Sequence, residues 1–436
     1  MFLHAWRKCV QNPFAPDDFQ DLQLQPLREV EMRTTPRPED YEPVSTLGIG
    51  GVGTVFLAKW KEKGMAGGEL LAVKTMDKRK LAEAGQQMHA MEELRVMRRL
   101  AEQSRARPCP YILPLRAAFH SSSTLYLVMP FIQGGDLHNT IQRQADKKLP
   151  EPAVQLIAAE ITLALDALHS MDIVFRDLKP MNVLITTDGH VQLTDFGLAK
   201  QGVSRSTTQT TCGTPLYMSP EQVQHATMMG DAAGDGYSFA VDWWALGTLI
   251  YESLTGKPPF VARQIGNIMH KIANTEHSFP GDHTLTPEAV AITAQLLEKD
   301  ADRRLGAEGT ADVQRHPWFA VVDWEALQRR EVPAVYIPPA VAAAAATAVL
   351  DCFDPEVTAE KVDAALFQPE TLPPHATGGG EPASPGPAGS PGAAGQGSVG
   401  RWLAQSGSSP AGGSPMADAG PDLWEEYVYL APADGS

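Results

Sequence analysis

Two short stretches of the sequence bring together side chains suited to phosphoryl transfer. Residues 175–182 read Phe-Arg-Asp-Leu-Lys-Pro-Met-Asn and hold the carboxylate of Asp177, the ammonium group of Lys179 and the carboxamide of Asn182. Residues 195–197 read Asp-Phe-Gly and add a second carboxylate. Phosphoryl transfer from ATP needs a carboxylate that orients the attacking hydroxyl, hard oxygen ligands for Mg²⁺, and a cation near the moving phosphate. The two stretches contain all three kinds of group.

Together these stretches resemble the catalytic loop and the metal-binding motif of eukaryotic protein kinases. An isolated Arg-Asp-Leu is a weak signal, because most such tripeptides are solvated turn residues. Two motifs at this separation are far more specific. The resemblance implies ATP and Mg²⁺ as cofactors, with Asp177 as the general base and Lys179 neutralising the moving phosphoryl group. It also implies that Asn182 and Asp195 hold two Mg²⁺ ions.

A glycine-rich stretch precedes these motifs. Gly48, Gly50, Gly51 and Gly53 are followed by Val55. Glycine lets a backbone approach phosphates closely and point N–H groups at them. The pattern alone is weak, but residues 54–57 are strand-like, where a dinucleotide-binding fold would begin a helix. The stretch resembles the kinase glycine-rich loop, in which Val55 would cover the adenine.

The next apolar strand, residues 70–74, ends in Lys74, and the resemblance makes this the phosphate-binding lysine. A lysine at a strand end is more often a solvated surface charge. Residues 86–100 then read as a helix with one apolar face. The helical period leaves Glu92 and Glu93 equally open as the partner of Lys74. The resemblance favours Glu93, which follows His89 by four residues as in the protein kinase A/G/C group.

Residues 125–132 have the pattern of a buried strand and resemble the hinge between two kinase lobes. The resemblance makes Met129 the gatekeeper and turns backbone groups of Pro130 and Ile132 toward the adenine edge. Proline keeps the carbonyl that is needed there. Asp136 is expected to hydrogen-bond the ribose. Two apolar residues, Ala72 and Leu184, complete the expected nucleotide site.

A Ser/Thr-rich stretch, residues 204–211, resembles an activation segment. Thr210 aligns with the activating threonine, and its phosphate would bridge Arg176, Lys200 and His89. The alternative is that the threonines of this stretch are only flexible polar residues. Activation by phosphorylation of Thr210 would require an upstream activating kinase as a partner.

Three further packing and pairing relationships are expected. Lys179 with Thr214 fits transfer to serine and threonine rather than tyrosine. Glu221 and Arg304 are expected to form a buried ion pair. An apolar column seated on Asp242 is expected from Met97, Leu115, Phe175 and Phe196.

The end of the chain narrows the resemblance to the A/G/C group. Residues 322–327 and 353–358 are similar to its C-terminal tail, and Phe353 would touch the adenosine. Near the terminus, residues 424–429 resemble the hydrophobic motif of that group, with Val428 in its Ser/Thr slot. Trp424 and Tyr427 are expected to dock beside the Glu93 helix; the alternatives are a partner-binding motif or no role.

The resemblance implies an α+β fold: the bilobal protein kinase fold, with a small β-rich N-lobe, a larger mainly helical C-lobe and a C-terminal tail. The expected order is an extension (1–40), N-lobe (41–130), C-lobe (131–319), A/G/C-type tail (320–374), disordered Gly/Pro/Ser/Ala-rich linker (375–420) and hydrophobic-motif-like terminus (421–436).

Composition agrees with a soluble, intracellular chain. The formal net charge of −16 argues against general binding of nucleic acid or anionic membranes. Cysteines 9, 109, 212 and 352 show no metal or disulfide spacing. We expect neither a signal peptide nor a membrane span. The expected localisation is cytoplasmic, with access to the nucleus left open.

The sequence therefore predicts a serine/threonine protein kinase that acts on protein substrates as a monomer. A pseudokinase scaffold is the alternative, and the complete catalytic set argues against it. A small-molecule phosphotransferase is disfavoured by the activation segment and the tail. Met181 stands where many basophilic relatives have a glutamate that binds arginine, so the expected preference for basic substrates, through Glu252 and Asp136, is weakened.

Overall fold

The computed structural model describes residues 36–61, 69–103, 108–202, 214–227, 238–281, 284–336, 353–360, 362–369, 427 and 429–430. All of them belong to one compact unit that begins at Pro36. The structure confirms the two-part α+β architecture: an antiparallel sheet in the first part of the unit and a mainly helical second part. The expected domain boundaries stay a prediction.

The first lobe is built on a six-stranded antiparallel sheet with the order β1-β2-β3-β5-β4-β10. Its strands are β1 (Tyr41–Ile49), β2 (Gly53–Trp60), β3 (Leu70–Asp77), β4 (Ala117–His120), β5 (Thr124–Pro130) and β10 (Tyr429–Leu430). Gly53 is required where β2 begins, because a Cβ atom there would lie 2.0 Å from the carbonyl oxygen of Thr75. Helices α1 (Lys78–Glu83) and α2 (Gln87–Gln103) follow β3.

The second lobe is mainly helical. Its helices are α3 (Leu137–Gln142), α4 (Glu151–Ser170), α5 (Pro220–Thr227), α6 (Ala240–Thr255), α7 (Ile265–Asn274), α8 (Pro287–Leu296), α9 (Thr310–Gln314) and α10 (Trp324–Gln328). Its short strands are β6 (Ile173–Val174), β7 (Val183–Ile185), β8 (Val191–Leu193) and β9 (Lys200–Gln201). Strand β6 pairs with β9, and β7 pairs with β8. The catalytic loop lies between the end of β6 and the start of β7.

Helices α4 and α6 form the centre of this lobe. Helix α4 begins with Pro152 in its first turn, where a missing N–H costs nothing. It is long and apolar enough to cross a membrane, but 72% of that stretch is buried inside the protein, as expected for a core helix. Helix α6 is buried along nearly its whole length and ends at Gly256, whose positive φ of 81° forms the C-cap. These helices give the catalytic loop a rigid support.

After the helical lobe, the chain returns to the sheet. Helix α11 (Pro355–Thr358) packs against β1, and the Ser45 hydroxyl donates to the Thr358 carbonyl at 3.4 Å. A 3₁₀ turn, Ala364–Phe367, places Phe367 edge-on to the rings of Phe56 and Tyr126. Strand β10 then pairs with the edge strand β4. The described parts of the tail thus contact the first lobe through α11, the 3₁₀ turn and β10.

Candidate active site

A lysine on the sheet connects the two lobes. Lys74, on β3, lies 2.6 Å from Oε1 of Glu93 on α2 and 2.9 Å from Oδ1 of Asp195. The structure therefore pairs Lys74 with Glu93. The neighbouring Glu92 instead lies 3.9 Å from Arg95 on the same helix. Three residues distant in sequence meet here because the sheet, α2 and the Asp195 loop converge on one cleft.

The charges of this triad reinforce one another. Burial opposes the charge of Lys74, but Asp195 and Glu93 outweigh it and raise the lysine pKa above its usual value. Lys74 in turn lowers the pKa of Asp195, which therefore stays ionised. Burial raises the pKa of Glu93, and Lys74 counteracts that shift. The result is a fixed cation flanked by carboxylates at the mouth of the cleft.

The catalytic loop presents Asp177 as a hydrogen-bonded carboxylate. Lys179 Nζ lies 2.6 Å from Asp177 Oδ2, and the hydroxyl of Thr214 donates to Oδ1 at 3.1 Å. Lys179 also donates to Thr214 at 3.1 Å. Burial raises the pKa of Asp177 above the ordinary value of an aspartate, and the Lys179 ammonium only partly opposes that shift. The side chain is enclosed by its own loop and by the segment that carries Thr214.

Asp242, fully buried on α6, fixes the backbone of this loop. Its carboxylate accepts the N–H groups of Phe175 at 2.9 Å and Arg176 at 2.8 Å. Arg176 has a positive φ of 68°, a strained conformation that such contacts hold in place. Phe175 and Phe196 meet edge to face with ring centroids 5.4 Å apart. The expected apolar column, which also contains Met97 and Leu115, is buried in one cluster.

The proposed metal ligands have the right chemistry for a hard cation. The amide nitrogen of Asn182 donates to the carbonyl and to Oδ2 of Asp177, at 2.8 and 2.9 Å. Its carbonyl oxygen is therefore turned away from Asp177. The carboxylate of Asp195 is ionised, and 47% of its side chain is exposed. A carboxamide oxygen and a carboxylate are the donors that Mg²⁺ prefers, so these two residues fit that ion.

Several residues assigned to the nucleotide lie on neighbouring strands around Lys74. Val55 pairs with Lys74 across β2 and β3, and Ala72 lies opposite Met129 across β3 and β5. Leu184, at β7, forms an isolated bridge with Asp136. Of the remaining members, Gly48 lies in β1, Gly50 and Gly51 lie between β1 and β2, and Gly53 begins β2. Pro130 is the last residue of β5, and Ile132 follows that strand.

Two of the assigned nucleotide residues have contacts that the sequence did not indicate. Asp136 caps α3, since Oδ1 accepts the Asn139 N–H at 2.7 Å and Oδ2 accepts the Asn139 amide at 2.8 Å. Phe353 stacks on Phe131, with ring centroids 5.6 Å apart, directly after the hinge. The ribose and adenosine contacts assigned to Asp136 and Phe353 stay predictions.

The regulatory residues divide between described and undescribed parts of the chain. Thr210 and Trp424 lie outside the described residues. Tyr427 is fully buried in the large core cluster, and burial followed by the charge of Glu93 raises its pKa. The structure thus places Tyr427 close to the Glu93 helix, while its regulatory role stays a prediction.

Sequence reasoning missed two features around this site. Phe367, the tail residue that packs on the sheet, carried no signal beyond being aromatic in a polar region. The hydroxyl of Tyr217 hydrogen-bonds the carboxylate of Glu252 beside the catalytic loop. Partners so far apart in sequence give no local pattern. The expected Glu221–Arg304 pair is present, with Nη1 2.6 Å from Oε1.

Comparisons with known proteins agree with this geometry. Residues 41–319 match the family model described as the protein kinase domain. The chain is 38% identical over 300 residues to protein kinase 2 of Dictyostelium discoideum, which covers 69% of this chain and 58% of that protein. It is 38% identical over 308 residues to serine/threonine-protein kinase Sgk3 of Rattus norvegicus, over 69% of this chain and 57% of the relative.

A third relative is matched over most of its length. Serine/threonine-protein kinase Sgk2 of Homo sapiens is 34% identical over 339 residues, which cover 77% of this chain and 85% of the relative. For the other two relatives, the chain spans less than two thirds of their length.

Proposed function

Because this chain belongs to the protein kinase family, within the A/G/C group, we propose that it is a serine/threonine kinase. It would transfer the γ-phosphoryl group of ATP to serine and threonine hydroxyls of proteins. A protein kinase domain implies ATP as a substrate. We propose in addition that the transfer requires Mg²⁺ and that the acceptors are proteins.

One observation carries the proposal: the candidate catalytic residues form two hydrogen-bonded groups, and these lie close enough for the charge of Asp195 to act on Asp177. Lys74 is held between Glu93 and Asp195, at 2.6 and 2.9 Å. Asp177 is held by Lys179 and Thr214 at 2.6 and 3.1 Å. A scaffold would need neither arrangement. The relatives named above are themselves kinases, which also disfavours the pseudokinase alternative.

The residues divide the transfer between them. The substrate hydroxyl is oriented by Asp177, which accepts its proton as the oxygen forms its bond to the γ-phosphorus. Lys179 donates to the phosphoryl oxygens while the bond to ADP breaks, and Lys74 positions the α- and β-phosphates. Asn182 and Asp195 would hold Mg²⁺, which supplies charge neutralisation at the phosphates. The glycine turn excludes water from the cleft.

The direct test is phosphate transfer from Mg²⁺-ATP to a degenerate Ser/Thr/Tyr peptide library. We expect transfer to serine and threonine in the wild type, loss of transfer in Asp195→Ala, and retained transfer in Asp302→Ala. Asp302 is an exposed aspartate far from Asp195 in the sequence, and it serves as the matched control. A wild type phosphorylated at Thr210 that modifies no peptide would contradict the proposal.

We further propose that phosphorylation of Thr210 by an upstream kinase activates the enzyme. Among the described residues, Arg176 lies close enough to His89 on α2 for its charge to act on that imidazole, so two of the three side chains expected to bind the phosphate are neighbours. A phosphate of about −1.5 to −2 charges would bind such groups and order the segment. We expect Thr210→Ala to lower activity in a preparation phosphorylated at that position in the wild type, and Thr207→Ala to serve as the control. Unchanged activity of Thr210→Ala would contradict the switch.

Cytoplasmic localisation and a monomeric state are proposals supported only by sequence composition. Cell fractionation, with access to the nucleus scored separately, tests the first. Light scattering of the purified chain tests the second.

A further inference from the structure

A short hairpin joins the two residues proposed to hold Mg²⁺. Asn182 immediately precedes β7, and Asp195 lies two residues after β8. The Thr194 N–H donates to the carbonyl of Asn182 at 3.0 Å, so the two ends of the hairpin are tied together beside these ligands. Each strand has only three residues. A tilt or shift of the hairpin would therefore move both ligands.

Helix α4 holds the turn of this hairpin through a buried carboxylate. Glu160 is 1% exposed, and one of its oxygens accepts the Val191 N–H at 2.8 Å. Its other oxygen lies 2.5 Å from Nδ1 of His190. Burial raises the pKa of Glu160, and the contacts with His190 and Val191 and the charge of Arg330 counteract that shift. A buried carboxyl group with two specific partners fixes the backbone of residues 190 and 191.

Arg330, in the segment after α10, holds the same turn from a distant part of the chain. Its Nη2 atom lies 2.8 and 3.0 Å from the two carboxylate oxygens of Asp188 and 3.1 Å from the Thr186 hydroxyl. That hydroxyl also accepts the His190 N–H at 3.0 Å. Arg330 has a positive φ of 58°, a conformation that non-glycine residues seldom adopt. These contacts connect the guanidinium to both sides of the turn.

The chain around α10 also reaches the other end of β8. The hydroxyl of Tyr111, a buried residue, donates to the Leu327 carbonyl on α10 at 2.6 Å. The carbonyl of Tyr111 accepts the N–H of Leu193, the last residue of β8, at 2.8 Å. Strand β8 is thus linked to α10 at its end, and the turn before β8 is linked to the segment that follows α10.

We infer that Arg330 and Glu160 are positioning residues for metal binding. They fix the turn of the β7–β8 hairpin, and the hairpin carries that constraint to Asn182 and Asp195 at its two ends. The chain after α10 thus sets how well these two ligands are preorganised for a divalent cation. This inference rests on the proposed kinase function, in which the two ligands hold Mg²⁺.

The test measures metal binding directly, with Mn²⁺ as the probe and the full-length chain in excess over a nonhydrolysable ATP analogue. Electron paramagnetic resonance gives the Kd of Mn²⁺, and a separate titration with adenosine reports nucleoside binding without metal. Arg330→Met should raise the Kd of Mn²⁺ about tenfold and leave that of adenosine unchanged, because only the placement of the metal ligands is disturbed. Arg330→Lys keeps a cation within reach of Asp188 and should restore most of the affinity. Asp188→Asn should reproduce the loss, and the double variant with Arg330→Met should lose little more, since both remove the same contact.

Arg329→Met is the matched control, since this neighbouring arginine pairs with Glu331 at 3.0 Å and its side chain is 56% exposed. It should leave the Kd of Mn²⁺ unchanged. An Arg330→Met variant that binds Mn²⁺ like the wild type would overturn the inference. A parallel rise in the Kd of adenosine would also overturn it, because the substitution would then disturb the whole cleft. Failure of the wild type to bind Mn²⁺ with the nucleotide, or to transfer phosphate, would instead contradict the proposed function.

Discussion

Arg304 holds Glu221 by two parallel hydrogen bonds, from Nη1 to Oε1 at 2.6 Å and from Nη2 to Oε2 at 2.9 Å. The guanidinium also donates to the carbonyls of Ala240 and Glu298. The pair fastens α5, which follows the segment containing Thr214, to the start of α6. The position of that segment beside Asp177 thus depends on a residue near the end of the helical lobe.

Arg304→Leu is expected to lower the free energy of unfolding by about 3–5 kcal/mol, because it leaves Glu221 without its cation and three backbone carbonyls without their donor. Urea denaturation followed by tryptophan fluorescence measures the change. Arg303→Leu, at an exposed neighbouring position, should change it by less than about 0.5 kcal/mol. Equal effects of the two substitutions would show that the ion pair does not stabilise the lobe.

Glu93→Gln keeps the shape of the side chain but removes the charge that fixes Lys74. We expect kcat/KM for ATP to fall about 100-fold, as for other displacements of a group that positions the substrate. Glu92→Gln removes a charge from the adjacent position and should have little effect. Similar losses in the two variants would mean that the structure assigns the wrong glutamate.

The acid limb of the pH–rate profile is expected to report Asp177. Burial raises the pKa of this base, whereas Lys74 lowers that of Asp195, so Asp177 is the first of the two to become protonated as the pH falls. The limb of kcat/KM should lie above the ordinary range of an aspartate. Lys179→Ala removes a charge that lowers the Asp177 pKa and should move the limb to higher pH.

The pH–rate profile of Lys179→Ala can also contradict the assignment of this limb to Asp177. A limb that stays in place in Lys179→Ala, or moves to lower pH, would show that another group controls the rate. Residual activity must be measured at subsaturating peptide, so that both profiles report kcat/KM, and each profile is compared by the position of its limb because loss of Lys179 also lowers the rate itself.

Phe367→Ala should both destabilise the first lobe and weaken ATP binding. The ring is 1% exposed and packs on Phe56 and Tyr126, and the Tyr126 hydroxyl donates to the adjacent Leu366 carbonyl at 2.6 Å. Loss of such a ring costs about 3–5 kcal/mol. Because the same tail segment carries Phe353, we expect KM for ATP to rise in nucleotide titrations.

Phe353→Ala is the comparison for this variant. It removes the ring that stacks on Phe131 and should raise KM for ATP with a smaller loss of stability, because Phe353 is 9% exposed. An unchanged KM for ATP in Phe367→Ala would show that anchoring of the tail by Phe367 does not contribute to nucleotide binding.

Truncation after residue 420 is expected to lower activity, because it removes β10 from the sheet edge and Tyr427 from the core beside the Glu93 helix. Tyr427→Ala should reproduce the loss. Truncation after Leu430 keeps both elements and is the control. Full activity without residues 421–436 would leave the terminal motif without a catalytic role.

The candidate catalytic residues could be chosen from the sequence because their chemistry is concentrated in short segments. Asp177, Lys179 and Asn182 lie within one loop, and Lys74 ends an apolar strand whose pattern is local. The pKa of Asp177 was harder to predict from the sequence, because the burial that raises it comes from elements far away in sequence. The partners of Asp136 were missed for a related reason: a turn aspartate has the same sequence signature whether it caps a helix or binds a ribose.

By itself, the sequence determined the class of fold, the catalytic set and the return of the tail toward the first lobe. Residue type and spacing are sufficient for these, because phosphoryl transfer tolerates few alternative groups. The helical period left Glu92 and Glu93 open as partners of Lys74, the family resemblance favoured Glu93, and the tertiary structure shows the Lys74–Glu93 pair. That structure alone decided that Phe367 closes the outer face of the sheet. Contacts of this kind depend on how separate elements pack, and no local pattern encodes that packing.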